Sequence, residues 1–275
     1  MRSGRTEGLP YSLSRWTDVP GSKWPWFLDS LKAGSMVAFD TRTAVPSEWS
    51  LKPEDTRGLV FWTKNPANII DSYDLLRPYS VKAHITVTGW AEVEHGVPHY
   101  FEVARRARSL ADLIGRANIF WRFSPVPLVD DVVDRFERIA HMLRHTVGQV
   151  YLSFLQTNDL LPETRTPTEK VRLLIEMADV GRMYGIRLVL CNDDNDLLHV
   201  TGLTQNLTGG VCVPPEDFEQ PGLALPTAEG CGCCHMVDPF TINEQCQLGC
   251  KYCYSADRSL SPKRRNTTRS LPVVR

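Results

Sequence analysis

Gly58-Leu59-Val60-Phe61-Trp62, followed directly by Thr63-Lys64-Asn65-Pro66, is the stretch on which the reading of the fold turns. A short apolar run closed by a polar turn containing proline reads as a strand. The pattern recurs. Strand-like runs stand at Met36-Val37-Ala38-Phe39, Val81 to Thr88, Ile119 to Phe123, Val150 to Phe154 and Ile186 to Cys191. Helix-like segments cover roughly 98–115, 130–147 and 167–184. The last opens with Thr166-Pro167-Thr168-Glu169, whose proline and acid suit a first helical turn. An earlier helix runs from Trp24 to a stop near Gly34, with Phe27, Leu28 and Leu31 on one face. Alternating strand and helix predicts an α/β fold with parallel strands, as a (β/α) barrel or a doubly wound sheet.

In a barrel, functional side chains gather where each strand ends and its loop begins. That predicts a mouth built from Thr63, Lys64 and Asn65, from Trp121, Arg122 and Ser124, from Gln156 and Asn158, and from Cys191, Asn192 and Asp193. Turn residues are polar in any case, which suffices for Asn158 and Asp193. Arg122 suits a bidentate contact with a carboxylate, and Lys64 suits a phosphate or carboxylate, with simple solvation as its alternative.

The chain has 275 residues, 42% hydrophobic and 23% charged, as expected of a globular protein with room for a full barrel. A net charge of −1 gives no overall reason to expect nucleic acid or an anionic membrane. No apolar run approaches the roughly eighteen residues that span a bilayer. Met1 to Gly8 lacks the apolar stretch of a secretory signal. Eight cysteines in such a chain predict a reducing, cytoplasmic setting and metal binding rather than disulfides.

Three of those cysteines lie in Cys246-Gln247-Leu248-Gly249-Cys250-Lys251-Tyr252-Cys253-Tyr254, at C-x3-C-x2-C spacing. Thiolates select zinc, copper(I) or iron–sulfur centres. Three ligands on one short loop fit a face of a four-iron cluster and leave one iron without a protein ligand; a zinc knuckle or buried thiols are the alternatives. Cys191, Cys212 and Cys231-Gly232-Cys233-Cys234 account for the other five. Four thiolates make either a second four-iron cluster or a zinc site that pins segment 203–234. His84, inside a strand, is a candidate acid or base facing the barrel interior, or a satisfied core histidine. His141 and His145 have metal-binding spacing on a predicted helix but lie among arginines, and His235 adjoins Cys234.

With Tyr252 directly before its third cysteine, the loop resembles the cluster motif of radical S-adenosylmethionine (SAM) enzymes. The landmarks Ser14-Arg15-Trp16-Thr17-Asp18-Val19-Pro20, Phe61 to Pro66, Trp121-Arg122-Phe123-Ser124-Pro125, Cys231-Gly232-Cys233 and Cys246 to Tyr254 are similar, in order, to those of the DUF1848 family. The similarity covers about residues 10 to 257. The chain departs from that pattern at Trp16, at Ser124 and over His84 to Gly89, and two of these changes remove a charge from the expected cavity.

The resemblance implies a partial or circularly permuted (β/α) barrel, with Met236 to Asn243 as the first strand moved to the end. It further implies a single unit over 1–257, a cysteine-rich segment at 203–257 and a disordered basic tail at 258–275. Cys246, Cys250 and Cys253 would hold a [4Fe-4S] cluster that binds SAM, with Tyr252, Arg122, Lys64 and Thr63 as cofactor contacts. Cys191, Cys212, Cys231 and Cys233 match the family's positions for an auxiliary [4Fe-4S] cluster. Cys234 does not, and is a spare thiol, a substitute ligand or a catalytic group beside His84 and Lys64. The implied activity is reductive cleavage of SAM and hydrogen abstraction from a small molecule, with a flavodoxin or ferredoxin as electron donor. Sulfur insertion from the second cluster, in natural-product or nucleoside metabolism, is an extension of it. Two other readings stand beside this one: an electron-transfer iron–sulfur protein, and a zinc-stabilised nucleic-acid-binding or scaffold protein.

Overall fold

The computed structural model describes residues 8–40, 44–155, 161–191, 197, 206–218, 233–240 and 246–253. Its strands are β1 Pro10–Leu13, β2 Ser35–Asp40, β3 Pro46–Ser50, β4 Gly58–Thr63, β5 Val81–Thr86, β6 Ile119–Phe123, β7 Gln149–Leu152, β8 Arg187–Cys191, β9 Leu207–Gly210 and β10 Val237–Asp238. Its helices are α1 Val19–Ser22, α2 Trp24–Ala33, α3 Ala67–Asp71, α4 Tyr73–Leu76, α5 Tyr100–Ile114, α6 Val132–Leu143 and α7 Pro167–Met183. The sheet order is β3-β2-β10-β1-β4-β5-β6-β7-β8-β9. Every pair from β10 to β9 is parallel, and the β2–β3 hairpin adds antiparallel strands at one end. The fold is therefore mixed α/β on a largely parallel sheet, and among the described residues the sheet is open. The last strand lies beside the first, Val237 opposite Tyr11.

The expected run at Met36 to Phe39 forms β2, but in a hairpin: the link from Asp40 to Pro46 is too short for a parallel crossover. Strands β1, β3 and β9 went unread because each is short and carries Pro, Ser or Gly. Helix ends obey local chemistry. Thr166 and Glu169 form a reciprocal capping box at the start of α7, and Gly34 ends α2 in the left-handed region at φ 73°.

Strand alternation divides the sheet into two faces. Leu59 and Phe61 of β4, Ala83 and Ile85 of β5, Trp121 and Phe123 of β6, and Leu188 and Leu190 of β8 pack against helices α5 to α7. Trp121 stacks on Phe136 at 4.8 Å and is fully buried, so it belongs to the helix-packed core and not to the expected mouth. Its neighbours Phe120 and Arg122 point the other way. On that second face Val60, Trp62, Phe120, Tyr151, Val189 and Cys191 meet Cys212, Val213, Phe218, Cys233, Cys234 and Met236. Two short segments, 206–218 and 233–240, thus do on one face what helices do on the other.

The expected strand at Met236 to Asn243 is described at Val237–Asp238, while 241–243, Cys231 and the tail at 258–275 lie outside the described residues. Among the described residues no helix is long and apolar enough to cross a membrane.

At the start of β4, a Cβ on Gly58 would lie 2.5 Å from the Phe218 ring and 2.7 Å from the Ser80 carbonyl oxygen. Gly58→Ala is expected to cost about 1–3 kcal/mol of stability by overpacking, measured by denaturant unfolding. An unchanged midpoint would mean that Phe218 does not pack there.

Candidate metal centres

The loop after β5 docks the three-cysteine loop. Lys251 N–H donates to Val93 O at 3.0 Å, Gly96 N–H donates to Leu248 O at 3.0 Å, and Glu94 and Cys250 form an antiparallel bridge. Glu94 is the latch. It accepts from Lys64 Nζ at 2.6 Å and from the Tyr252 hydroxyl, while the Tyr252 ring stacks on Trp90 at 5.5 Å. Burial disfavours the Lys64 ammonium, but Glu94, Cys250 and Asp18 outweigh it and raise its pKa. Removing either partner of so buried a pair typically costs about 3–5 kcal/mol.

Cys246, Cys250 and Cys253 lie within electrostatic reach of one another, beside Lys64. Burial pushes the Cys250 thiol up to about 12, against the pull of Lys64. A metal would have to supply the positive charge that displaces this proton. Three thiols and one cation at strand ends fit the donor chemistry of the cluster site expected there.

The second group sits on the inner face. Cys191 Sγ and Cys212 Sγ are 3.9 Å apart, Arg122 Nη1–H points at Cys212 Sγ at 3.2 Å, and Cys233 adjoins Cys212. The Arg122 guanidinium lies over Trp62 at 5.2 Å. Arg122 thus faces a sulfur and an aromatic ring. Tyr151 borders the same group, its pKa raised by burial and by Cys212. Buried Cys234 donates its N–H to Val213 O at 2.8 Å. Its thiol is pushed up to about 12 by burial, with Cys233 and Asp217 beside it, the opposite of an activated thiol. His84 faces this group, and burial with Arg122 and Lys82 holds its pKa well below 6.5. Neither ring nitrogen reaches full hydrogen-bond geometry, and the Cys212 backbone is the polar group nearest to a ring proton. Among the described residues no three His, Cys, Asp or Glu converge on a single metal ion.

Two buried carboxylates that the motif reading did not single out organise these strand ends. Asp18, in the Ser14 to Pro20 landmark, accepts from Thr63 Oγ1, Lys64 N–H and Gly21 N–H, each at 2.7 Å. Thr63 is therefore turned onto Asp18, on the helix-facing side. Asp238 accepts from Ser12 Oγ at 2.8 Å, from Ser14 Oγ, from Arg15 N–H at 3.0 Å and from Phe240 N–H at 3.1 Å. An aspartate in a short apolar strand was the available signal. Asn65 caps the turn after β4 and accepts from Arg106 at 2.7 Å, and Ser124 bonds Ser153. Helix α6 ends at Leu143, so His141 and His145 do not share a helical face, and His235 pairs with Asp40 at 2.9 Å. Gln156, Asn158, Asn192 and Asp193 lie outside the described residues.

A Cβ on Gly96 would meet Leu248 O at 2.7 Å and its Cα at 2.9 Å. Gly96→Ala is expected to undock the cysteine loop, losing hydrogen-exchange protection at Lys251 and about 1–3 kcal/mol; retained protection would refute the docking. Asp18 has its pKa raised from 3.8 to about 6, chiefly by burial. A carboxyl raised on folding binds its proton more tightly in the native state, so its contribution is fully present below 3.8 and is lost as pH rises through 6. Relative to Asp18→Asn, the wild-type protein should gain stability between pH 7 and pH 4 in urea titrations, where parallel curves would contradict the assignment.

No curated protein matches the chain. A 1.8 Å crystal structure of the IOLI protein with a binding zinc atom is similar in part, at 14% identity and TM-score 0.36, over 60% of this chain. The match spans 65% of that protein's length. A family described as "Domain of unknown function (DUF1848)" matches residues 11–255, and the chain belongs to that family.

Proposed function

We propose that the protein is a radical SAM iron–sulfur enzyme in which Cys246, Cys250 and Cys253 hold a [4Fe-4S] cluster that binds SAM. The observation that carries this reading is the gathering of these three thiols beside Lys64 at the ends of β4 and β5. The placing of β10 beside β1 supports a permuted barrel, in which the C-terminal cysteine loop follows the strand that is first in space. When bound, the cluster supplies the single electron, drawn from a flavodoxin or ferredoxin, with which SAM is split to methionine and a 5′-deoxyadenosyl radical.

The chain's own residues bind and orient. Glu94 and Trp90 hold the Tyr252 ring and so fix the loop backbone that radical SAM enzymes present to the adenine. Lys64 keeps a buried positive charge against the thiolates. Asp18 fixes the Lys64 backbone, and Asp238 fixes the Ser14–Arg15 turn across the mouth. A small-molecule substrate would enter on this side, with water excluded by the packed aromatic face. The inner thiols Cys191, Cys212 and Cys233 hold a second centre, with Cys231 as the fourth ligand; as a four-iron cluster it is a candidate sulfur donor.

The same thiols would also suit a four-cysteine zinc site, which is the second reading of the inner centre and keeps Cys191 and Cys212, 3.9 Å apart, as neighbouring ligands.

Anaerobic reconstitution, reduction and addition of SAM should yield 5′-deoxyadenosine and about eight irons for two four-iron clusters, or about four irons with zinc. Cys250→Ala should abolish cleavage, a loss of at least about a hundredfold, and lower the iron content. Wild-type protein that binds zinc but no iron would overturn the enzyme reading.

A further inference from the structure

His84 lies in the middle of β5 with no solvent exposure. Register places it between Trp62 of β4 and Phe120 of β6. The Trp62 ring lies 4.2 Å away at 17°, and the Phe120 ring lies 4.9 Å away at 25°. Both faces of the imidazole are covered, so only its edge can bond. The Cys212 backbone lies near enough to favour a ring proton. Neither Nδ1 nor Nε2 has a hydrogen-bonding partner, however. A neutral imidazole carries one donor and one acceptor, and burying both without partners is unfavourable. Phenylalanine would fill the same aromatic row without that cost. The nitrogen therefore has a use in the loaded protein.

Its surroundings indicate which. Arg122 already directs an N–H at Cys212 Sγ from 3.2 Å, and Cys191 Sγ is 3.9 Å from that sulfur. Cys212 and Cys233 pack into the same cluster that His84 borders. We propose that His84 joins Arg122 as an N–H donor to the metal-bound sulfur of the inner centre held by Cys191, Cys212 and Cys233. Both are positioning residues. Hydrogen bonds to thiolate or sulfide sulfur offset its negative charge, favour the reduced state of an iron–sulfur cluster, and steady the thiolates of a zinc site. The shared chemistry is anionic sulfur on a metal, and it rests on the inner centre proposed above.

The test compares wild type, His84→Phe and His84→Gln as full chains, each free of metal and after loading with iron and sulfide or with zinc. Metal-free His84→Phe should melt no lower than wild type. Loading should raise its Tm less than it raises that of wild type, and His84→Gln, which keeps an N–H, should recover part of the difference. With iron, the inner centre is identified as the signal lost in Cys212→Ala, and its midpoint potential should move negative in His84→Phe. With zinc, the difference in Tm gain is the readout. Normal metal content with equal Tm gains and an unchanged potential would overturn the role of His84 alone. Equal metal content in wild type and Cys212→Ala would overturn the inner centre as well, and this inference with it.

Discussion

A single buried carboxylate decides where the late strand β10 goes. Asp238 sits in a two-residue strand that has little pairing of its own, yet it gathers donors from Ser12, Ser14, the Arg15 backbone and Phe240. Removing a carboxylate from water is costly and raises its pKa, as happens here. The cost is tolerable only because the donors all converge on it. Three of them come from β1 and the turn that follows, so the C-terminal strand is held beside the N-terminal one. That closure brings the cysteine loop back to the strand ends where Lys64 and Glu94 await it.

Strand β4 joins the two cysteine groups. Its alternation sends Val60, Trp62 and Lys64 to one face, two residues apart, so that one strand serves both. Lys64, at the end, bonds Glu94 beside the outer thiols; Trp62, one layer deeper, carries Arg122, which bonds Cys212. Deeper still, Lys82 is paired with Asp217 at 3.0 Å and lies over Phe120 and Phe218. The inner face is thus layered, with a paired cation at each level. Such a face is more costly to build than an apolar one, and its polar groups are held by specific partners rather than by burial alone.

The helix-facing side needs no such arrangement. Away from the strand ends, where Thr63 meets Asp18, its side chains are apolar and its stacking is aromatic, as between Trp121, Phe123 and Phe136. The contrast between a dry face and a layered polar face is what localises the candidate chemistry. It also explains why the landmark Ser14 to Pro20 is polar without being a ligand set: Asp18 and Ser14 are consumed in holding strand ends together.

What the sequence alone determined was the alternation of strand and helix, the capping of α7, the stop at Gly34 and the closeness of Cys246, Cys250 and Cys253 on one loop. All of these are local: an apolar run bounded by turn residues, or thiols close along the chain, carries its own physical reason. The strand β5 was legible for the same reason. Tertiary structure decided the rest. That Arg122 serves a sulfur, that Thr63 turns to Asp18, that Glu94 latches Tyr252, and that β10 lies against β1 all depend on residues far apart in sequence. Trp121 and Arg122 are adjacent and were read together, yet a period of two sends them to opposite faces. Which face becomes the core is settled only when helices α5 to α7 choose a side, and no local pattern carries that information.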